Sequence, residues 1–83
     1  MNIYRIYHVT GNAGYEKYDL VTTGIETEDQ VAALREGLPA EASNWPIRQW
    51  GDDTENFIAA NPEYDWHGCH YSDFYFAEAD EQE

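Results

Sequence analysis

Asp52-Asp53-Thr54-Glu55-Asn56-Phe57-Ile58-Ala59-Ala60-Asn61-Pro62 is the stretch on which the fold assignment turns. Asp52-x-x-Glu55 has the form of a capping box, in which a side-chain oxygen takes one of the first free amides and the acid three residues on reaches back. So read, it opens a short helix with Phe57 and Ile58 as its apolar positions. Asn61-Pro62 closes it, because the residue before proline is pushed out of the α region.

Upstream, Ile3 to Val9 alternate and are rich in β-branched and aromatic types, which reads as a strand. Thr10-Gly11-Asn12-Ala13-Gly14 supplies turn chemistry and precedes no helix, so it is a hairpin turn and not a phosphate cradle. Tyr15 to Thr23 follows as a second strand, giving a hairpin with a longish loop. Thr27-Glu28-Asp29-Gln30 is another capping box, with acids where the helix dipole favours them. Val31, Leu34 and Leu38 recur at helical spacing, Gly37 can serve as the C-terminal cap, and Pro39 stops the helix. Glu41 to Gly51, with Trp45, Pro46, Ile47 and Trp50, fits either an extended segment or a single turn. Downstream, His70 to Ala77 alternate as a third strand, with Phe74 and Phe76 facing in against Leu20 and Ile6, and Asp73 and Tyr75 facing out. The predicted fold is α+β: a small three-stranded antiparallel sheet in the order β-β-α-α-β, with the helices packed on one face.

Eighty-three residues make one domain, 1–83, with about 79–83 frayed. Its formal charge of −13 is distributed unevenly. The first fifty residues carry seven acids against four bases, whereas from Gly51 onward there are ten carboxylates and neither Lys nor Arg. Seven aromatic residues are interleaved with those acids (Phe57, Tyr64, Trp66, Tyr71, Phe74, Tyr75 and Phe76), which argues for a folded region over a solvated acidic tail. Solubility needs a net charge of only about 2 to 8 on a small domain. The remainder repels itself and costs folding free energy, so the field is expected to have a use: holding something basic. Duplex DNA carries one charge per ~1.7 Å of axis, so the net charge equals that of about 22 Å of duplex.

The other constellations are weaker. His67, Cys69 and His70, with His8 or an acid, are of metal-ligand type, but their spacing is that of no zinc finger or ribbon, and Cys69 and His70 fall on opposite strand faces. No metal or other cofactor is expected, and a buried thiol is the simpler reading of Cys69. Nothing marks an oxyanion hole or an orienting third group beside that thiol, so no enzyme is expected. Asn61-Pro62-Glu63-Tyr64 matches a short sorting motif that a turn explains fully. Trp45, Trp50 and Trp66 read as packing residues, or as anchors for a partner if exposed. The single cysteine excludes an internal disulfide, the N-terminus lacks the pattern of a signal peptide, and no apolar run approaches a membrane span. A cytoplasmic monomer, binding neither nucleic acid nor membrane directly, is the expectation.

In size, charge and style the chain resembles small acidic phage anti-CRISPR and anti-restriction proteins that act as DNA mimics. Glu28, Asp29, Asp52, Asp53, Glu55, Glu63, Asp65 and Asp73 carry the resemblance, and they are the candidate partner-binding residues. It implies an inhibitor that blocks a basic DNA-binding site, such as the duplex-entry site of a CRISPR surveillance complex, which reads DNA through Lys and Arg. Two other readings stand beside it: an acidic interaction module, such as an antitoxin or a regulator of a basic host protein, and a metal-binding protein using His67, Cys69 and His70.

Overall fold

The computed structural model describes residues 2–12, 14–50, 53–63 and 71–79, with only the backbone described at 53–55, 71 and 72. Five strands and one helix follow in the order β1 (Asn2–Asn12), β2 (Tyr15–Thr27), α1 (Gln30–Gly37), β3 (Ile47–Trp50), β4 (Asp53–Ala60) and β5 (Tyr71–Ala79), with a 3-10 turn at Ala40–Ala42 after α1. The strands form one antiparallel sheet in the order β2-β1-β5-β4-β3. This overturns the three-stranded, two-helix arrangement.

The decisive correction is β4. Residues 53–60 form a strand, not a capped helix, and from Phe57 to Ala60 both of its faces are covered. Phe57 and Ala59 belong to the core beneath α1, and Ile58 and Ala60 belong to a second cluster on the other side of the sheet. A strand buried on both faces reads as a continuous apolar run, which periodicity cannot distinguish from a helix. The same holds for β5. Phe74 packs with Val9, Ile58 and Ala60, while Tyr75 is buried with Ile6 and Ala77 on the helix side, contrary to an outward Tyr75. Leu20, expected inside, is 55% exposed. Within Glu41 to Gly51, which fits either an extended segment or a turn, Ile47–Trp50 forms β3, an edge strand paired with β4.

The β1–β2 hairpin is tighter and longer than expected. Pairing continues to Asn12↔Tyr15, leaving a two-residue turn, with Gly11 and Gly14 at φ +114° and +84°. Gly24 (φ +71°) sits where β2 takes on extra residues relative to β1: Tyr7↔Leu20, Ile6↔Thr22 and Tyr4↔Ile25 are successive partners. One residue, Val21, is therefore bulged, and a second bulge lies at Thr23–Gly24.

The helix begins two residues later than the capping box implied. Asp29 is its N-cap, its carboxylate accepting from the Ala32 amide at 2.9 Å. Thr27 ends β2, and its hydroxyl accepts from the Glu28 amide at 2.6 Å. Gly37 lies within α1 and Leu38 caps it with ordinary extended angles, as a residue before proline should. A Cβ at Gly37 would come within 2.9 Å of Ile6 Cγ1 and closer still to Ile25, so glycine here permits the close approach of helix to sheet.

Gln30 does not reach back to a cap. The β4–β5 ladder ends at Ile58↔Phe76, and one step further the Gln30 amide stands between the strands. Its Nε2 donates to the Ala77 carbonyl (2.8 Å) and to Asn56 Oδ1 (3.1 Å), and its Oε1 accepts from the Phe57 amide (2.9 Å). The side chain substitutes for the missing backbone pair and fastens the start of α1 to the centre of the sheet.

Candidate functional site

Antiparallel pairing determines which chain segments share an end of the sheet. At one end β1 begins, β2 and β5 finish, β4 begins, and α1 starts above them. Five acids lie here on residues whose positions follow from the pairing: Glu26 opposite Ile3, Glu78 opposite Arg5, Asp53 opposite Trp50, and Glu28 and Asp29 ahead of the helix. Glu55, one residue before Asn56, joins them by strand position. Glu26, Glu28, Asp29 and Glu78 are exposed. Taken with Asp53 and Glu55, the set spans the width from β2 to β4, three inter-strand spacings or about 14 Å. Arg5 is the base at this end, and its Nε lies 3.9 Å from Glu78 Oε1.

The candidate acids do not all share this end. Glu63 is exposed beyond the far end of β4, where its amide donates to Asn61 Oδ1 (2.8 Å) in the turn that Asn61-Pro62 supplies. Asp73 is also at the far end and is spent internally. One carboxylate oxygen pairs with His8 Nε2 at 2.7 Å and the other accepts from Asn61 Nδ2 at 2.8 Å. His8 in turn stacks on Tyr75, ring centroids 4.4 Å apart and planes within 8°. Burial first, and then the carboxylates of Glu41 and Asp73, push the Tyr75 phenol above its ordinary pKa of 10.0. Asp73 thus ties β1, β5 and the exit of β4 together. It is a positioning group, not an exposed charge.

Asp52 and Asp65 lie outside the described residues, as do Trp66, His67, Cys69 and His70; among the described residues no three His, Cys, Asp or Glu side chains converge as a metal site would require. Trp45 and Trp50 pack against the two faces. Trp45 meets Tyr75 beneath α1 at 5.4 Å, and Trp50 stands edge-on to Phe74 and Phe76 at 5.1 and 4.9 Å on the opposite side. They are packing residues. No helix among the described residues is long and apolar enough to cross a membrane.

Sequence reasoning missed Glu26 and Glu78. Both occupy outward positions at strand ends, a signal that depends on knowing that β2 runs to Thr27 and β5 to Ala79. Compared with protein-family models, with curated proteins and with solved structures, the chain matches none.

Proposed function

We propose that this protein is a non-enzymatic, cytoplasmic competitor that occupies a basic nucleic-acid-binding site on another protein, presenting carboxylates in place of phosphates. The observation that supports it most is the gathering of Glu26, Glu28, Asp29, Asp53, Glu55 and Glu78 at one end of the sheet, against the single base Arg5. A 14 Å length of duplex carries about eight phosphates, so these six acids approach that charge density. Glu26 and Glu78 stand near the ends of strands held by backbone pairing, and Asp29 is the N-cap of α1 with Glu28 just before it. Carboxylates so fixed lose less conformational freedom on binding than those of a mobile tail. The resemblance drawn from size and charge narrows the partner to a site that reads DNA through Lys and Arg, the side chains with which carboxylates pair best. Asp73 is not part of this surface, because its oxygens are already engaged.

Two charge-matched variants test the reading. One converts Glu26, Glu28 and Glu78 to Gln; the other converts the exposed Glu36, Glu41 and Glu63. Immobilised protein is used to capture basic partners from a host lysate, and the captured partner is challenged with duplex DNA. The reading expects DNA to displace the partner, and the first variant to weaken binding by about tenfold or more while the second changes it by less than about threefold. Equal losses from the two variants would leave only undirected net charge. A partner that holds DNA and this protein together would support the interaction-module reading instead.

A further inference from the structure

The edge strand β2 carries an unusual set of exposed groups. Tyr15, Tyr18, Leu20 and Val21 are 85%, 51%, 55% and 42% exposed, the largest bare apolar side chains among the described residues. The cause is geometric. An eight-residue helix spans about 12 Å, whereas β2, whose bulges fit its thirteen residues to the length of the eleven-residue β1, spans about 36 Å. On the helix side α1 covers β2 only near Thr22 to Thr27, where the Thr22 hydroxyl meets the Gly37 carbonyl at 3.5 Å, while Tyr18 and Leu20, opposite Val9 and Tyr7, lie on the other face, over which no helix packs among the described residues. The half nearer the turn has β1 on one side and an open row of backbone donors and acceptors on the other. Long exposed edges invite pairing unless bulges or charges prevent it. The two bulges of β2 lie at Val21 and Thr23–Gly24, leaving Tyr15 to Leu20 regular.

We infer that two copies of this chain pair through this segment, β2 against β2 in antiparallel array, to make a continuous ten-stranded sheet. The register follows from the pairing rule and the charges. On an edge strand the outward backbone groups belong to alternate residues, and antiparallel partners must both belong to that set. The two-fold axis therefore passes through a residue, not between two. An axis through Glu16, Lys17 or Asp19 sets that charge against its own copy. One through Leu20 carries the pairing across the bulge at Val21. Only an axis through Tyr18 keeps the regular segment and places Lys17 opposite Asp19 of the copy, twice over. Within one chain these two side chains already lie on the same face, 4.0 Å apart, so the paired strands form a four-charge row. On the other face Tyr18 meets its own copy beside Tyr7, extending an edge-to-face pair (centroids 6.3 Å) across the junction.

The overall charge opposes this association, since each copy carries −13. The dimer is consequently expected to strengthen as salt screens that long-range repulsion, the reverse of binding to a basic partner. Sedimentation equilibrium of the full chain, over protein concentration at low and moderate salt, provides the test. Lys17→Glu should weaken the dimer by about tenfold, since each opposed pair changes from attraction to repulsion. Asp19→Lys should also weaken it, although it replaces a negative charge by a positive one, making each chain two units less negative, and would tighten any dimer limited by net charge alone. The double variant K17E/D19K should restore the original constant. Circular dichroism confirms that each variant is folded, and both positions are exposed, so folding is not at stake. A chain that stays monomeric up to about 1 mM, where even a binding free energy near −4 kcal/mol would show, overturns the proposal. So does a dimer that Asp19→Lys tightens, or one that the double variant fails to rescue. None of these outcomes touches the acidic end, whose residues are unchanged in the three variants.

Discussion

At Asp73 one carboxylate joins three strands' worth of chain: His8 on β1, its own β5, and Asn61 where β4 ends. Removing it takes one hydrogen bond each from His8 and Asn61, both partly buried. Asp73→Ala is therefore expected to cost about 1–3 kcal/mol in urea denaturation, whereas Glu78→Ala, on an exposed residue, should stay within about 0.5 kcal/mol. The sequence displays Asp73 as one acid among ten after Gly51, and nothing local separates it from Glu63 or Glu78. Its role depends on a histidine sixty-five positions away, which only the folded chain brings near. Tyr75 makes the pH argument. Its phenol titrates higher in the folded chain than the ordinary 10.0, so the unfolded chain gives up that proton first. The stability it contributes is complete below pH 10.0 and is lost as pH rises through the folded value. Tyr75→Phe should leave stability at pH 7 nearly unchanged and flatten the decline above pH 10, measured by chemical denaturation at a series of alkaline pH values.

Among the elements, β4 shows how much of the fold was legible and where legibility ended. The hairpin, the helix after Thr27 and the last strand announce themselves through alternation, turn residues and caps. Phe57-Ile58-Ala59-Ala60 does not, because alternation is visible only when one face meets water, and here neither does. With β4 read as a helix, β3 has no partner, and the acidic end of the sheet cannot be assembled from sequence: Glu78 joins Glu26 and Glu28 only through pairing across β1 and β5. Gln30 is the second illegible feature. Its position in a capping-box pattern suggests a local role, yet it completes the β4–β5 ladder. Gln30→Ala should expose that dependence, leaving the Phe57 amide and the Ala77 carbonyl unpaired at a cost of about 2–3 kcal/mol. Gln30→Glu should be worse at pH 7, because a carboxylate oxygen would then face the Ala77 carbonyl and Asn56 Oδ1, and part of the loss should return when the acid is protonated. Thermal denaturation of the three proteins at pH 7 and near pH 4 checks both. Equal melting of Gln30→Glu and Gln30→Ala at pH 7 would mean that Gln30 acts only by filling space.

For the molecule as a whole, the dominant fact is −13 on a body of 38 × 26 × 23 Å. No described carboxylate at the acidic end has a base of its own except Glu78, whose distance to Arg5 is that of a loose surface pair worth little. The folded state therefore carries uncompensated repulsion that the expanded unfolded chain partly escapes. Sodium chloride, by shortening the Debye length from about 30 Å at 0.01 M to about 3 Å at 1 M, should stabilise the fold. If screening recovers about 1 kcal/mol, the melting temperature of a domain this size rises by about 4–8 °C. The Glu26, Glu28 and Glu78 to Gln variant should start from a higher melting temperature and rise less, because part of the repulsion is already gone. Binding to a basic partner must run the other way and fall with salt. A melting temperature that is flat or falling with sodium chloride would show that the acids are individually compensated in the folded chain. In that event there would be no surplus field to offer a partner, and the proposed competition with nucleic acid would lose its physical basis.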